Sequence, residues 1–156
     1  MKKESVKYRK TDPVLLALLA VAALAALLRP GNPTLIEIHD PTAVDPDPSL
    51  VIFNPFRDRG PEQCSESFLQ GMRSGNCTEV MTLPAAKDKY VHDICQEEAL
   101  YPLISWQLGS RRDSAGQSRI YYRVLRTVYK GFIGRVWVTV RKVDHQWKVT
   151  DYECWY

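Results

Sequence analysis

An α+β domain carried behind an N-terminal transmembrane helix is the fold class that the sequence predicts, and three observations predict it. The stretch from Val14 to Leu28 reads VLLALLAVAALAALL and holds no polar group. Seven of the ten prolines lie between residues 30 and 61, which breaks the chain into an extended spacer. Beyond them, two stretches of helical period precede four segments that alternate as strands do. With tail, apolar stretch and spacer set aside, about 100 residues remain, enough for one small domain.

The apolar stretch opens with Asp12 and Pro13, residue types suited to an N-cap and a first helical turn. At 1.5 Å per residue it covers roughly 22 Å, against about 30 Å of bilayer hydrocarbon, so a span needs help from its flanks. An uncleaved signal anchor is one reading and a cleaved signal peptide the other. Lys2, Lys3, Lys7, Arg9 and Lys10 precede the stretch, whereas Glu37, Asp40, Asp45 and Asp47 follow it. That asymmetry predicts a cytoplasmic N-terminus and an extracytoplasmic domain, secreted if the segment is removed. The expected organisation is a cytoplasmic tail over 1–12, a transmembrane helix over 13–29, a proline-rich spacer over 30–60 and the folded domain over 61–156.

All four cysteines, Cys64, Cys77, Cys95 and Cys154, come after the apolar stretch, which makes two disulfides or four buried thiols the alternatives in an oxidising compartment. Within the spacer, Thr34 to Ile38 and Leu50 to Phe53 have strand-like composition.

Pro61 and Glu62 open a helix in which Cys64, Phe68 and Met72 share a face with Ser65 and Leu69, and Gly75 closes it. A second helix is expected from Ala85 to about Glu98. Leu103 to Leu108 is read as a strand, Gly109 to Gln117 as a polar loop, and Arg119 to Lys130 as a second strand. Arg135 to Val143 alternates with Val136, Val138 and Val140 on one face. The residues Asp144-His145-Gln146 then turn into a last strand, Trp147 to Tyr156, and the short connections make the four strands antiparallel neighbours.

The helix from Pro61 to Gly75 with Phe68 and Leu69 inside it, the following Asn76-Cys77, the long strands and the closing Trp147-Lys148-Val149-Thr150-Asp151 together resemble small NTF2-like domains of bacterial membrane-anchored or secreted proteins. The resemblance covers about residues 57 to 156. It implies two to three helices on a curved antiparallel sheet of about four strands, enclosing a cone-shaped cavity. In catalytic members such a cavity holds an Asp or His base with a Tyr or second acid. By that resemblance His92, Asp93 and Asp151 are the catalytic candidates, with Tyr121 and Tyr122 as possible companions. Fold alone assigns no chemistry.

No metal site is expected, because the His–Asp neighbours at 39–40, 92–93 and 144–145 come with no C-x-x-C pair and no H-E-x-x-H helix. Nor is a cofactor, since Gly131-Phe132-Ile133-Gly134 joins two strands and leads into no phosphate-binding helix. Gly71 to Gly75 is no nucleophile elbow, and Asn76-Cys77-Thr78 matches a glycosylation sequon.

Charge is distributed unevenly. Between Arg111 and Lys148 lie Arg111, Arg112, Arg119, Arg123, Arg126, Lys130, Arg135, Arg141, Lys142 and Lys148, against only Asp113 and Asp144. Interleaved with Tyr121, Tyr129 and Trp137, they suggest a basic and aromatic sheet face, with Arg123, Arg135, Trp137 and Arg141 as binding candidates. Export sets nucleic acid aside. The expected role is therefore non-enzymatic: a membrane-held domain that binds an envelope protein or an anionic envelope polymer. A cavity enzyme acting on a small apolar substrate is the alternative.

Overall fold

A computed structural model describes residues 13–29, 31–42, 48–74, 100–127 and 133–155. The apolar stretch forms a helix, α1 (Pro13–Leu27), of 15 residues with no buried side chain. It ends because the chain turns: Leu28 N still donates to Leu24 O at 2.9 Å, but Asn32 N already closes a turn onto Arg29 O at 2.9 Å. The expected transmembrane helix over 13–29 is therefore corrected. Among the described residues no helix is long and apolar enough to cross a membrane, because the turn at residues 29–32 stops α1 at about 22 Å.

The proline-rich segment holds an antiparallel ribbon of β1 (Thr34–His39) and β2 (Pro48–Phe53), with Ile36 opposite Ile52 and Ile38 opposite Leu50. One residue fastens ribbon and helix together. Asn54 is fully buried, and its amide nitrogen donates to Leu27 O, Arg29 O and Asn32 O at 3.2, 2.9 and 3.0 Å. Its side-chain oxygen accepts from Phe56 N at 2.9 Å, and its backbone N–H reaches Pro33 O at 2.8 Å. This asparagine thus does for the end of α1 what a C-cap does within a helix, satisfying carbonyls that have no helical partner.

Helix α2 (Gly60–Arg73) starts where the aspartate Asp58 accepts from Gly60 N at 2.8 Å and Pro61 occupies the first turn. A Cβ on Gly60 would lie 2.6 Å from Trp147 Cδ1, so glycine lets the last strand approach the helix start. Glu62, Ser65, Phe68, Leu69 and Met72 form its buried face. Burying Phe68, Leu69 and Met72 contributes roughly 1.5–3 kcal/mol each.

The sheet is an uninterrupted meander of β3 (Leu103–Ser114), β4 (Gln117–Arg126), β5 (Ile133–Val143) and β6 (Gln146–Trp155). Ile120, Tyr122 and Val124 of β4, Val136, Val138 and Val140 of β5 and Tyr152 of β6 point inward and form one core with α2. The expected polar loop at 109–117 is strand as far as Ser114. A bulge between Leu108 and Ser110 resets the alternation there, turning Ser110 and Arg111 into buried positions that read as loop. Gly109 sits in that bulge because a Cβ would stand 2.4 Å from the Tyr121 ring. At the β5–β6 turn Asp144 and His145 both have positive φ, 50° and 63°, the pattern of a tight two-residue hairpin. The second helix expected at 85–98 lies outside the described residues, as do His92, Asp93, Cys77, Cys95, Lys130 and the sequon at 76–78.

Candidate functional site

Two charged constellations lie on opposite sides of the sheet. On the inner side Glu62, 1% exposed, accepts from Arg57 Nε at 2.6 Å and Arg57 Nη2 at 2.8 Å, a bidentate pair. Arg111, 2% exposed, reaches the same carboxylate through Nη1 at 3.3 Å, and that nitrogen also donates to Asp58 O. Asp113 takes the rest of the Arg111 fork at 2.8 and 2.7 Å and accepts from Ser118 Oγ at 2.7 Å. Further along the inner face Arg126, fully buried, donates to Tyr101 O at 2.7 Å, Tyr152 Oη at 3.2 Å and Cys154 Sγ at 3.3 Å.

These two arginines correct the sequence reading. Arg111 and Arg126 are not part of an exposed basic face; they hold the interior together. The expected disulfide is corrected as well: among the described residues no disulfide is found. Cys64 Sγ donates to Trp147 O at 3.2 Å, near the start of β6, while Cys154 lies near the other end of that strand beside Arg126.

Among the described residues, side chains of α2 and of the inner sheet face pack directly against one another. Phe68 and Tyr152 pack with their rings tilted by 56° at 5.5 Å between centroids, and Tyr122 Oη shares a 2.5 Å hydrogen bond with Ser65 Oγ, which also donates to Glu62 O at 2.9 Å. Burial pushes the Tyr122 hydroxyl well above its ordinary value, against the smaller opposing effect of the Ser65 hydrogen bond; nearby Glu66 and Glu62 add to the rise. The raised value keeps the proton on Tyr122 in the folded state while an unfolded chain would release it near pH 10. Stability from this group is thus complete below pH about 10 and falls as pH rises past it. In alkaline urea titrations the wild type is expected to lose stability above pH about 10 more steeply than Tyr122→Phe. Parallel pH profiles for the two proteins would refute this.

Of the catalytic candidates only Asp151 lies within the described residues. It stands on the outer side of the sheet, where its carboxylate accepts from Tyr152 N at 2.9 Å. It does not face Tyr122, which points inward. Asp151 and the interior tyrosines are therefore not brought together.

The outer face carries the binding candidates. Register places Arg123 opposite Arg135, Tyr121 opposite Trp137, Arg119 opposite Thr139 and Gln117 opposite Arg141, all on one side of β4 and β5. Arg123, Arg135, Trp137 and Arg141 are thus co-facial. Tyr121 packs on Trp137 at 4.8 Å, and the guanidinium of Arg119 lies 4.8 Å from the Trp137 ring. Arg141 Nε donates to Gln117 Oε1 at 2.8 Å. The acids missing from the sequence reading of this face come from β6: Glu153 accepts from Arg119 at 3.0 Å on each oxygen, and Asp151 pairs with Thr139 across the ladder. Gln117, Arg119, Thr139, Arg141, Asp151 and Glu153 line an open groove of about 570 Å³. On the β3 side, Arg123 reaches Pro48 O of the ribbon at 3.5 Å and Arg112 approaches Glu37 at 4.0 Å.

Comparison with known proteins defines the fold class. Over 62% of this chain and 97% of the other, the structure is similar to a solved variant named as an NTF2 design of the Rd1NTF2 series with five substitutions, at 14% identity and a TM-score of 0.51. A de novo designed protein with a curved β-sheet aligns over 60% of this chain and 96% of its own, at 15% identity and a TM-score of 0.46. A Campylobacter jejuni protein described provisionally as an NTF2-like transpeptidase aligns over 57% and 95%, at 19% identity and a TM-score of 0.43. The domain has an NTF2-like fold. No family model and no curated protein matches the chain.

Proposed function

We propose that this chain is a non-catalytic binding domain of the cell envelope, which takes an anionic partner on the outer face of its sheet while α1 rests in lipid. The co-facial row of Arg123, Arg135, Trp137 and Arg141 carries the reading, because guanidinium groups beside aromatic rings suit carboxylate-bearing chains. Glu153 pairs with the neighbouring Arg119, and Asp151 stands beside Thr139 at the β6 side of the same face. The apolar helix supports the second half of the proposal: all of its large side chains are exposed, and uniform apolar surface of this kind is stable only when covered. Its length is that of an export signal's apolar region, and basic residues ahead of it with acidic ones behind are consistent with an extracytoplasmic domain.

The test of the binding face is charge reversal. The wild type is expected to bind poly-glutamate in low salt, and Arg123→Glu/Arg135→Glu to bind it at least tenfold more weakly with an unchanged melting temperature. Equal binding by the two proteins would remove the outer face from the proposal.

A further inference from the structure

The ribbon carries an apolar surface that the fold leaves bare. Its strands pair Ile36 with Ile52 and Ile38 with Leu50, so the four side chains stand together on one face. They are 48%, 42%, 49% and 49% exposed, respectively, whereas Val51 and Phe53, on the opposite face of β2, are half-buried. A ribbon that packs one face on its domain ordinarily turns polar residues outward. Here the outward face is wholly branched aliphatic at its centre.

We propose that this ribbon face is a second lipid-contacting surface, lying in the membrane interface next to α1. The proposal rests on the reading of α1 given above and extends it to residues beyond the helix. Two observations select lipid as the occupant. The first is continuity: Asn54, the residue after β2, holds Leu27 O and Arg29 O at the end of α1 and Asn32 O ahead of β1, so helix and ribbon end are fixed to one another through a single buried side chain. Whatever covers the end of α1 therefore lies next to the ribbon, and Arg29 at this junction is an exposed cation suited to phosphate head groups. The second is area. The four side chains offer roughly 300 Å², well short of the about 800 Å² that each partner contributes to a stable protein interface. Lipid needs no shape-matched partner and gains from every apolar group that leaves water.

Co-sedimentation of the full chain with vesicles of phosphatidylethanolamine and phosphatidylglycerol tests this. Three proteins are compared: the wild type, Ile36→Ser/Ile38→Ser/Leu50→Ser, and Leu16→Ser/Leu19→Ser in α1. The ribbon variant is expected to partition at least tenfold more weakly than the wild type while keeping its melting temperature, since all three sites are exposed. If it partitions like the wild type while the α1 variant loses binding, the ribbon proposal falls and the reading of α1 stands. If the wild type itself does not sediment with vesicles, both fall. Sedimentation velocity without lipid covers the remaining occupant: a wild-type dimer that the ribbon variant abolishes would show that a second copy, and not lipid, covers this face.

Discussion

Replacing Glu62 by glutamine is expected to cost about 3–5 kcal/mol, because it removes the charge that Arg57 and Arg111 share without removing the side chain's volume. Glu62 is 1% exposed and Arg111 2%, so Arg111 cannot turn to water without unpacking α2 or β3. Arg57 is less constrained; its guanidinium also lies over the Phe53 ring at 4.6 Å and donates to Asn54 O at 3.0 Å. The measurement is urea unfolding, with a lower midpoint at an unchanged slope. A companion variant, Glu62→Gln/Arg111→Met, is expected to recover part of the loss, since an apolar side chain no longer needs the missing charge. A loss below about 1 kcal/mol for Glu62→Gln would mean that the pair behaves as a solvated surface bridge, against the burial found here.

The second large effect is expected at Asn54. Asn54→Asp keeps the oxygen that accepts from Phe56 N but replaces a donor to three carbonyls with an acceptor that repels them. Its cost should be about 2–4 kcal/mol, larger than that of Asn54→Ala, which leaves room for water at the same carbonyls. Hydrogen exchange localises the effect: the amides of Leu28 and Asn32, bonded to Leu24 O and Arg29 O, are expected to exchange faster, while those of β4 and β5 slow or speed only with global stability. Uniform acceleration along the whole chain would show that Asn54 supports the core and does not act as a fastener for α1.

Much of this architecture was legible in residue periodicity. The face of α2 with Phe68, Leu69 and Met72, and the inward valines of β5, follow from simple spacing, as does the co-facial set on the outer sheet. Two of the buried charges were legible in the same way. Glu62 precedes Ser65, Leu69 and Met72 at intervals of three, four and three, which puts it on the apolar face; Arg126 continues the inward series of Ile120, Tyr122 and Val124. Arg126 read as part of an exposed face only because charge outweighed position. Arg111 was not legible, since the bulge after Leu108 shifts the phase of β3 and Gly109 there reads equally well as the start of a loop. The role of Asn54 was equally hidden. Its partners lie 22 to 27 residues earlier, and an Asn-Pro pair ordinarily signals a local turn. The length of α1 was legible as short, but the turn that ends it depends on that distant asparagine.

The meander also fixes an order of events as the chain folds. Every pairing in the four-stranded sheet joins sequence neighbours, so each closes a short loop at small entropic cost. Glu62, in contrast, must reach Arg111 across 49 residues. The hairpins can therefore assemble while the guanidinium on β3 is still hydrated, and docking of α2 then dries the inner face and captures that charge in one cooperative step. Kinetically, Glu62→Gln should speed unfolding more than it slows folding, the mark of a contact completed after the rate-limiting barrier.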